Sequence, residues 1–316
     1  MPRAAMIATI ALSAGIDRVY QVPNFAVGQY HRPDRFRAAP GGKGINVARI
    51  LRKLGMPVVT SGFAGGTALE FMRRELAKEG ILADFVRIEE ESRRCISIID
   101  PKNRTSTRVD ELGPLVTPSE IARLKQRLPE LLEKSRLLVV SGAVPRGVPI
   151  NIYAEIIELA KSHDRPTILD TRDEPLIEGA KAKPMMLKPN LEEFQQLVGE
   201  PVAGTEAIQA AARELVADGV EIVFVSMGAR GAVVATAEHG NWVARPPEID
   251  LVSPVGAGDA LVAGFAEAFL QGVEMRRAIA RGVGAGAAAA SNIGPVSCTR
   301  EQIMQLAAVT EVTRLT

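Results

Sequence analysis

The sequence predicts an α/β fold: a mostly parallel central sheet covered by helices on both faces, with a small β-sheet lid, in a single domain spanning residues 1–316. Three observations lead there. Short, continuous apolar runs alternate with helical patterns along most of the chain, and unbroken apolar runs suit strands buried on both faces. The chain has 316 residues, 47% of them hydrophobic, which suits one large core. Two stretches, at about 16–40 and 84–112, are more polar and alternate at period two ("RVYQV", "DFVRI", "CISIID", "STRVDEL"). They read as lid strands set apart from the main sheet.

The elements follow in order. "MPRAAMIATIALSAG" carries one Arg before an apolar run; it reads as a buried first strand rather than a secretion signal, because "GIDRVYQV" continues it without a break. "INVARILRKLG" has helical spacing. "MPVVTSGFAG" predicts a strand, and "GTALEFMRRELAKEG" a helix closed by Gly80. "SRLLVVSGAV", "PTILDT", "MMLKPN" and "EIVFVSMG" predict strands, with helices at "NIYAEIIELAKSHD", "EPLIEGAKA", "LEEFQQLVG" and "TEAIQAAARELVADG". "ALVAGFAEAFLQG" reads as an amphipathic helix and "GVGAGAAAASNIG" as a tightly packed one.

Composition excludes several function classes. Lys+Arg is 38 and Asp+Glu 37, a net charge of +1, so nothing draws the chain to nucleic acid or an anionic membrane. Aromatics at 4% are a poor base-stacking surface. No run reaches the ~18 apolar residues of a membrane helix. Cys95 and Cys298 stand far apart without metal-ligand spacing, which suits a reducing cytoplasm. His163 and His239 are isolated and His31 lies in a polar segment, so no metal-site spacing emerges.

In doubly wound sheets ligands sit beyond the carboxyl ends of the strands, so the strand-to-helix turns are where chemistry is expected. In "SPVGAGDALVAGF", Gly256, Ala257 and Gly258 stand before Asp259. Small residues at a helix start leave N–H groups open to an anion, and a carboxylate among them can take a proton from an attacking hydroxyl. Asp259 could equally be a plain helix N-cap. "GGKGINVARILRKLG" places Lys43 in a turn at the positive end of a helix, which suits an anion; a solvated lysine in a glycine turn is the plain alternative. It is not a Walker A loop, since Gly44 follows Lys43. In "LKPNLEEF", Asn190 and Glu193 form a capping arrangement, or a polar pair steering magnesium through water, or both. Ser226, Gly228 and Gly231 in "VSMGARGAVV" form a turn between two strands, and Asp170 ends "ILD" where it could cap a turn or face the site.

Together these segments resemble the ribokinase-like (phosphofructokinase B) sugar kinases. "GGKGINVAR" is similar to that family's first signature and "VGAGDALVAGF" to its second, with "VVSGAVPRGV", "LKPNLEEF" and "VSMGARGAVV" between them in order. The resemblance covers nearly the whole chain and implies a three-layer α/β/α kinase using ATP and Mg2+. "GGKG", "RRCISI" and "ELGP" resemble the phosphosugar branch, which holds fructose-1-phosphate, tagatose-6-phosphate and minor fructose-6-phosphate kinases. It implies Asp259 as catalytic base with Gly256, Ala257 and Gly258 as the anion hole. It implies Asp17, Gly41, Gly42 and Asn46 around the sugar hydroxyls, and Lys43, Arg93 and, more weakly, Arg32 on the sugar's phosphate, with Ser141 also near the substrate. Lys188, Asn190, Glu193, Ser226, Gly228 and Gly231 would line the ATP site, with Asn292 near the adenine. It further implies a homodimer through the lid.

The pattern departs in places. "SAGID" keeps Asp17 but not the usual neighbours, and Pro254 replaces a threonine, which puts a monovalent-cation loop in doubt. Thr107-Arg108 stands where a Thr-Glu pair is usual in two of the three subgroups, so Arg108 could add a phosphate contact. The exact sugar is therefore open. The rivals are a same-fold kinase for an unphosphorylated sugar or nucleoside, disfavoured by Lys43 and Arg93, and a catalytically silent nucleotide-binding regulator, disfavoured by the intact "GAGD". A dinucleotide oxidoreductase would need G-x-G-x-x-G after the first strand, where "SAGIDR" stands.

Overall fold

The computed structural model describes residues 6–33, 35–294 and 296–315; residues 1–5, which the first predicted strand was expected to draw on, lie outside that range. Numbered along the chain, the parallel strands are β1 (Ile7–Ala11), β4 (Val58–Gly65), β5 (Leu82–Ile88), β8 (Leu137–Ser141), β9 (Thr167–Asp170), β10 (Met186–Leu187) and β11 (Ile222–Ser226). Antiparallel β12 (Ala232–Thr236), β13 (Gly240–Arg245) and β14 (Glu311–Leu315) extend one edge. The ten-stranded order is β14-β13-β12-β11-β10-β9-β8-β1-β4-β5. The four-stranded lid, ordered β3-β2-β6-β7, comprises β2 (Gly15–Gln21), β3 (Arg35–Gly41), β6 (Arg94–Asp100) and β7 (Thr105–Asp110).

Strand periodicity sorts the core into two clusters, one on each face of the main sheet. Ile7, Val139, Ile168 and Phe224 point to a face covered by α1 (Lys43–Lys53), α2 (Gly66–Lys78), α8 (Ala257–Leu270), α9 (Met275–Ala290) and α10 (Arg300–Val309). Ala8, Ile10, Val140, Leu169 and Val225 point to the other. That face is covered by α3 (Pro118–Lys134), α4 (Ile152–Ser162), α5 (Asp173–Lys181), α6 (Leu191–Val198) and α7 (Thr205–Ala217). Burial on both faces is why the parallel strands read as unbroken apolar runs, and the result is the expected three-layer α/β/α architecture with a β lid.

Two expectations are corrected. "DFVRI" is not a lid strand: it lies in β5, which pairs in parallel with β4 at the edge of the main sheet. Its alternation arises because Phe85, Val86 and Ile88 are buried while Leu82, Asp84 and Arg87 are exposed at that edge. The second lid segment is therefore β6 and β7. Nor is the helix after "GAGD" amphipathic: α8 is buried from Asp259 to Ala268, pressed between α1 and α9. Gly264 permits this, since a Cβ there would sit 2.6 Å from the Arg281 carbonyl. Helix α3 is announced by "TPSE", a complete capping box of Thr117 and Glu120 that the reading of the sequence passes over.

Candidate active site

The carboxyl ends of the parallel strands and the lid enclose a cavity of about 1060 Å3. Its floor is made by two helix starts. Strand β3 ends at Gly41, and Gly42 caps α1 with φ 111°, a backbone angle that favours glycine. A Cβ at residue 44 would lie 2.6 Å from the Ile10 carbonyl, so glycine there lets α1 begin hard against β1. One turn in, Asn46 Nδ2 donates to Asp259 Oδ2 at 2.8 Å. Asn46 Oδ1 is buried without a partner, an acceptor with its lone pairs open to the cavity.

Asp259 is not an N-cap. Gly256 occupies the cap of α8 with φ 85°, no side chain caps the helix, and Asp259 is its third residue. Burial pushes its carboxyl up to about 6, opposed by the nearby Lys43 ammonium and by the Asn46 hydrogen bond. Of the predicted anion-hole donors, the Ala257 N–H is engaged at 3.3 Å by the Pro254 carbonyl. A Cβ at Gly258 would lie 3.5 Å from Lys188 Nζ, so a cation stands over the helix start.

Behind these groups, Asp170 is wholly buried at the end of β9. It takes Lys188 Nζ at 3.1 Å, Lys43 Nζ at 3.3 Å and the Ser141 hydroxyl at 3.0 Å. Burial raises the Asp170 carboxyl, but the ammonium of Lys188 and then that of Lys43 outweigh it and hold it below its ordinary value. Burial likewise opposes the Lys43 charge, and Asp170, Asp259 and Glu193 overcome this and raise its pKa. Lys43 thus sits on the Asp259 side of the cavity.

The lid supplies the other end. Asp17 on β2 is raised by burial, against the lowering influence of Arg108 and Arg93. Arg93 Nε is buried without a partner, and Arg108 Nε donates to Asp110 at 2.7 Å. Gly41 does not line the cavity but lies under Asp17: a Cβ there would be 2.3 Å from Asp17 Cγ. Opposite the lid, Asn190 and Glu193 form the reciprocal capping box of α6 and also face the cavity. Ser226, Gly228 and Gly231 line the same end, where a Cβ at residue 231 would lie 1.9 Å from the Ala244 carbonyl.

Besides Gly41, two predicted residues lie outside the cavity lining. Arg32 is exposed and lies over the Tyr30 ring, 5.8 Å from its centre, outside the cavity lining. Asn292 Nδ2 turns back to the Ala288 carbonyl at 2.8 Å, because the residue sits just past the end of α9. Residues the sequence reading did not assign to the site include Asp110 and an apolar wall of Pro246, Pro247, Ile249 and Leu251 facing Val283 and Ala287. "PPEIDL" carried a signal, apolar residues in a stretch that forms no strand or helix.

The chain matches the pfkB family of carbohydrate kinases over residues 4–302. A structure described as a possible 1-phosphofructokinase of Thermotoga maritima is 30% identical, with 98% of this chain and 100% of that one covered and a TM-score of 0.90. Phosphofructokinase-2 of Escherichia coli in complex with potassium is 27% identical, with 96% and 98% covered and a TM-score of 0.90. The same enzyme in complex with fructose-6-phosphate matches at 25% identity, 96% and 98% covered, with a TM-score of 0.89.

Proposed function

Because the chain belongs to the pfkB family of carbohydrate kinases, we propose that it transfers the γ-phosphoryl group of Mg·ATP to a hydroxyl of a ketohexose phosphate. The products are a bisphosphate and ADP. The observation that carries this reading is the pairing, in one cavity, of a buried carboxyl held at about 6 with half-buried Arg93, whose buried Nε has no partner, at the lid end. The first suits a general base near neutral pH, and the second suits a phosphate already on the acceptor. The relatives crystallised as a possible 1-phosphofructokinase and with fructose-6-phosphate favour the same substrate class. Fructose-1-phosphate, tagatose-6-phosphate and fructose-6-phosphate are the candidate acceptors.

Asp17 and Asn46 Oδ1 orient the acceptor's hydroxyls, and Asp259 takes the proton of the one that attacks phosphorus. Charge developing on the transferred group meets the start of α8 at Gly256–Gly258 and the ammoniums of Lys188 and Lys43. Lys43 is thereby shared between the acceptor's phosphate and the phosphoryl in transit, while Arg93 and Arg108 serve the former. The apolar wall of Pro246 to Leu251 suits an adenine. Closure of the lid keeps water from competing as acceptor.

The residues present fit magnesium carried by the nucleotide. Among the described residues no group of three His, Cys, Asp or Glu side chains could hold a metal ion alone. Asn190 and Glu193 spend one oxygen each on their capping box, which leaves Glu193 Oε1 to hold a magnesium-bound water. Magnesium there would neutralise phosphate charge.

The lid's outer face aligns Tyr20, Phe36, Ile96, Ile98 and Val109, with Phe36 and Val109 more than half exposed (55% and 56%). That apolar face supports a homodimer through the lid. Free, buried Cys95 and Cys298 suit a reducing cytoplasm, and among the described residues no helix is long and apolar enough to cross a membrane. The test is ADP release with Mg·ATP across the three phosphoketoses, free hexoses and nucleosides. Fast turnover on one phosphoketose supports the reading; turnover confined to unphosphorylated acceptors overturns it.

A further inference from the structure

A second groove, of about 1120 Å3, runs beneath the outer half of the lid. It lies on the same face of the lid sheet as the active site. In the register of that sheet Asp17, Val19 and Gln21 stand opposite Ala39, Arg37 and Arg35, so all six share one face. Asp17 lines both cavities.

The groove is strongly basic. Arg35, Arg37, Arg49, Arg52 and Lys53 line it against two carboxylates, Asp17 and Glu79. Glu79 is consumed by Arg49, whose Nη2 and Nε donate to its carboxylate at 2.6 and 2.9 Å. Asp17 faces Arg108 and Arg93 on its other side. Among the described residues no carboxylate is ion-paired with Arg35, Arg37, Arg52 or Lys53. Lys53 gives its ammonium to the Val296 and Cys298 carbonyls, and burial, together with the charges of Arg49 and Arg37, lowers its pKa. Among the described residues five cationic side chains line the groove against these two carboxylates, and Arg52 Nε donates only to the Glu79 carbonyl at 3.2 Å. Apart from Arg49, the cations form two opposed groups: Arg35 and Arg37 on the lid, Arg52 and Lys53 on α1.

We propose that this groove is a second ligand site, which takes a small metabolite carrying two phosphate groups and bridges the lid to helix α1. Two facing cationic groups match two anionic ends, and guanidinium forks match phosphate oxygens. The groove is too large for one inorganic phosphate. A bound bisphosphate ties β3 to the helix whose first turn holds Lys43 and Asn46, so it holds the lid near the body. That regulatory consequence rests on the kinase reading; the binding itself does not.

The test is calorimetric titration with inorganic pyrophosphate at constant ionic strength, which requires no turnover. Wild type is expected to show two sites. In Arg35→Ser/Arg37→Ser one site is weakened at least tenfold, while in Lys43→Met/Arg93→Met the groove site remains. Arms with a hexose bisphosphate and with ADP distinguish the source of the phosphate pair. Slowed amide exchange of β3 on adding pyrophosphate, lost in Arg35→Ser/Arg37→Ser, supports the bridge. An isotherm unchanged by Arg35→Ser/Arg37→Ser overturns the proposal. So does sedimentation showing that this variant loses an oligomer instead of an anion, which would assign the groove to a second copy of the chain.

Discussion

Asn46 Nδ2 donates to Asp259 Oδ2 at 2.8 Å across 213 positions of sequence, joining the two glycine-rich segments at the floor of one cavity. The bond favours the ionised form of Asp259 and so pulls down a pKa that burial has raised. Asn46→Leu is therefore expected to move the acid limb of the kcat profile to higher pH and to raise the KM for the acceptor, whose hydroxyl loses Oδ1. A pH-rate titration of the variant checks this; an unmoved limb contradicts it.

Asp170 is the only carboxylate within bonding distance of both Lys43 and Lys188 among the described residues. Asp170→Asn leaves two ammoniums without their partner, one of them 3% exposed. Breaking a buried pair from one side costs about 3–5 kcal/mol, so urea unfolding should show a loss of that order, with a lower kcat. The contribution is present above the ordinary carboxylate pKa and is lost as pH falls through the depressed folded value, so the gap between variant and wild type should narrow in acid. A gap unchanged between neutral and strongly acid pH would contradict the pairing.

Arg93→Met is expected to raise the KM for the phosphorylated acceptor by roughly 10- to 100-fold, as loss of a charged hydrogen bond does, with the KM for ATP unchanged. An equal effect on both substrates would move Arg93 out of the acceptor's phosphate site.

Gly41→Ala tests the seat of Asp17. A Cβ there would meet Asp17 Cγ at 2.3 Å and push the carboxylate off the acceptor. The KM for the acceptor should rise by about tenfold or more, since small misplacements of a positioning group are costly. A variant with wild-type KM would mean that Asp17 does not hold the acceptor.

Much of this was legible in the sequence because strands buried on both faces leave unbroken apolar runs, and helix starts packed hard against a strand demand small residues, as Gly44 against β1 shows. Gly42, Asn46, Gly256 and Asp259 belong to such patterns. What stayed hidden depends on contacts between distant segments. The sequence leaves Asp170 either capping a turn or facing the site, and only the convergence of Lys43 and Lys188 on it decides for the site. "DFVRI" alternates as a lid strand would, and only its pairing with β4 places it in the main sheet. Arg32 and Asn292 stand in the site only by the resemblance; in the structure they contact Tyr30 and Ala288, outside the cavity lining. The basic groove combines residues of β3 and α1 whose spacing carries no pattern at all.

The central claim is that Asp259 is the base for phosphoryl transfer. It is tested most directly by single-turnover transfer from γ-labelled Mg·ATP to the acceptor, measured against pH for wild type and Asp259→Asn. The wild-type rate should rise with pH through about 6, because the base must be ionised and burial sets its pKa there. The variant should be slower by about 10²–10⁴-fold and flat over that range, with ATP binding little changed. Wild-type-like transfer by Asp259→Asn, or a variant that keeps the same acid limb, would contradict the account.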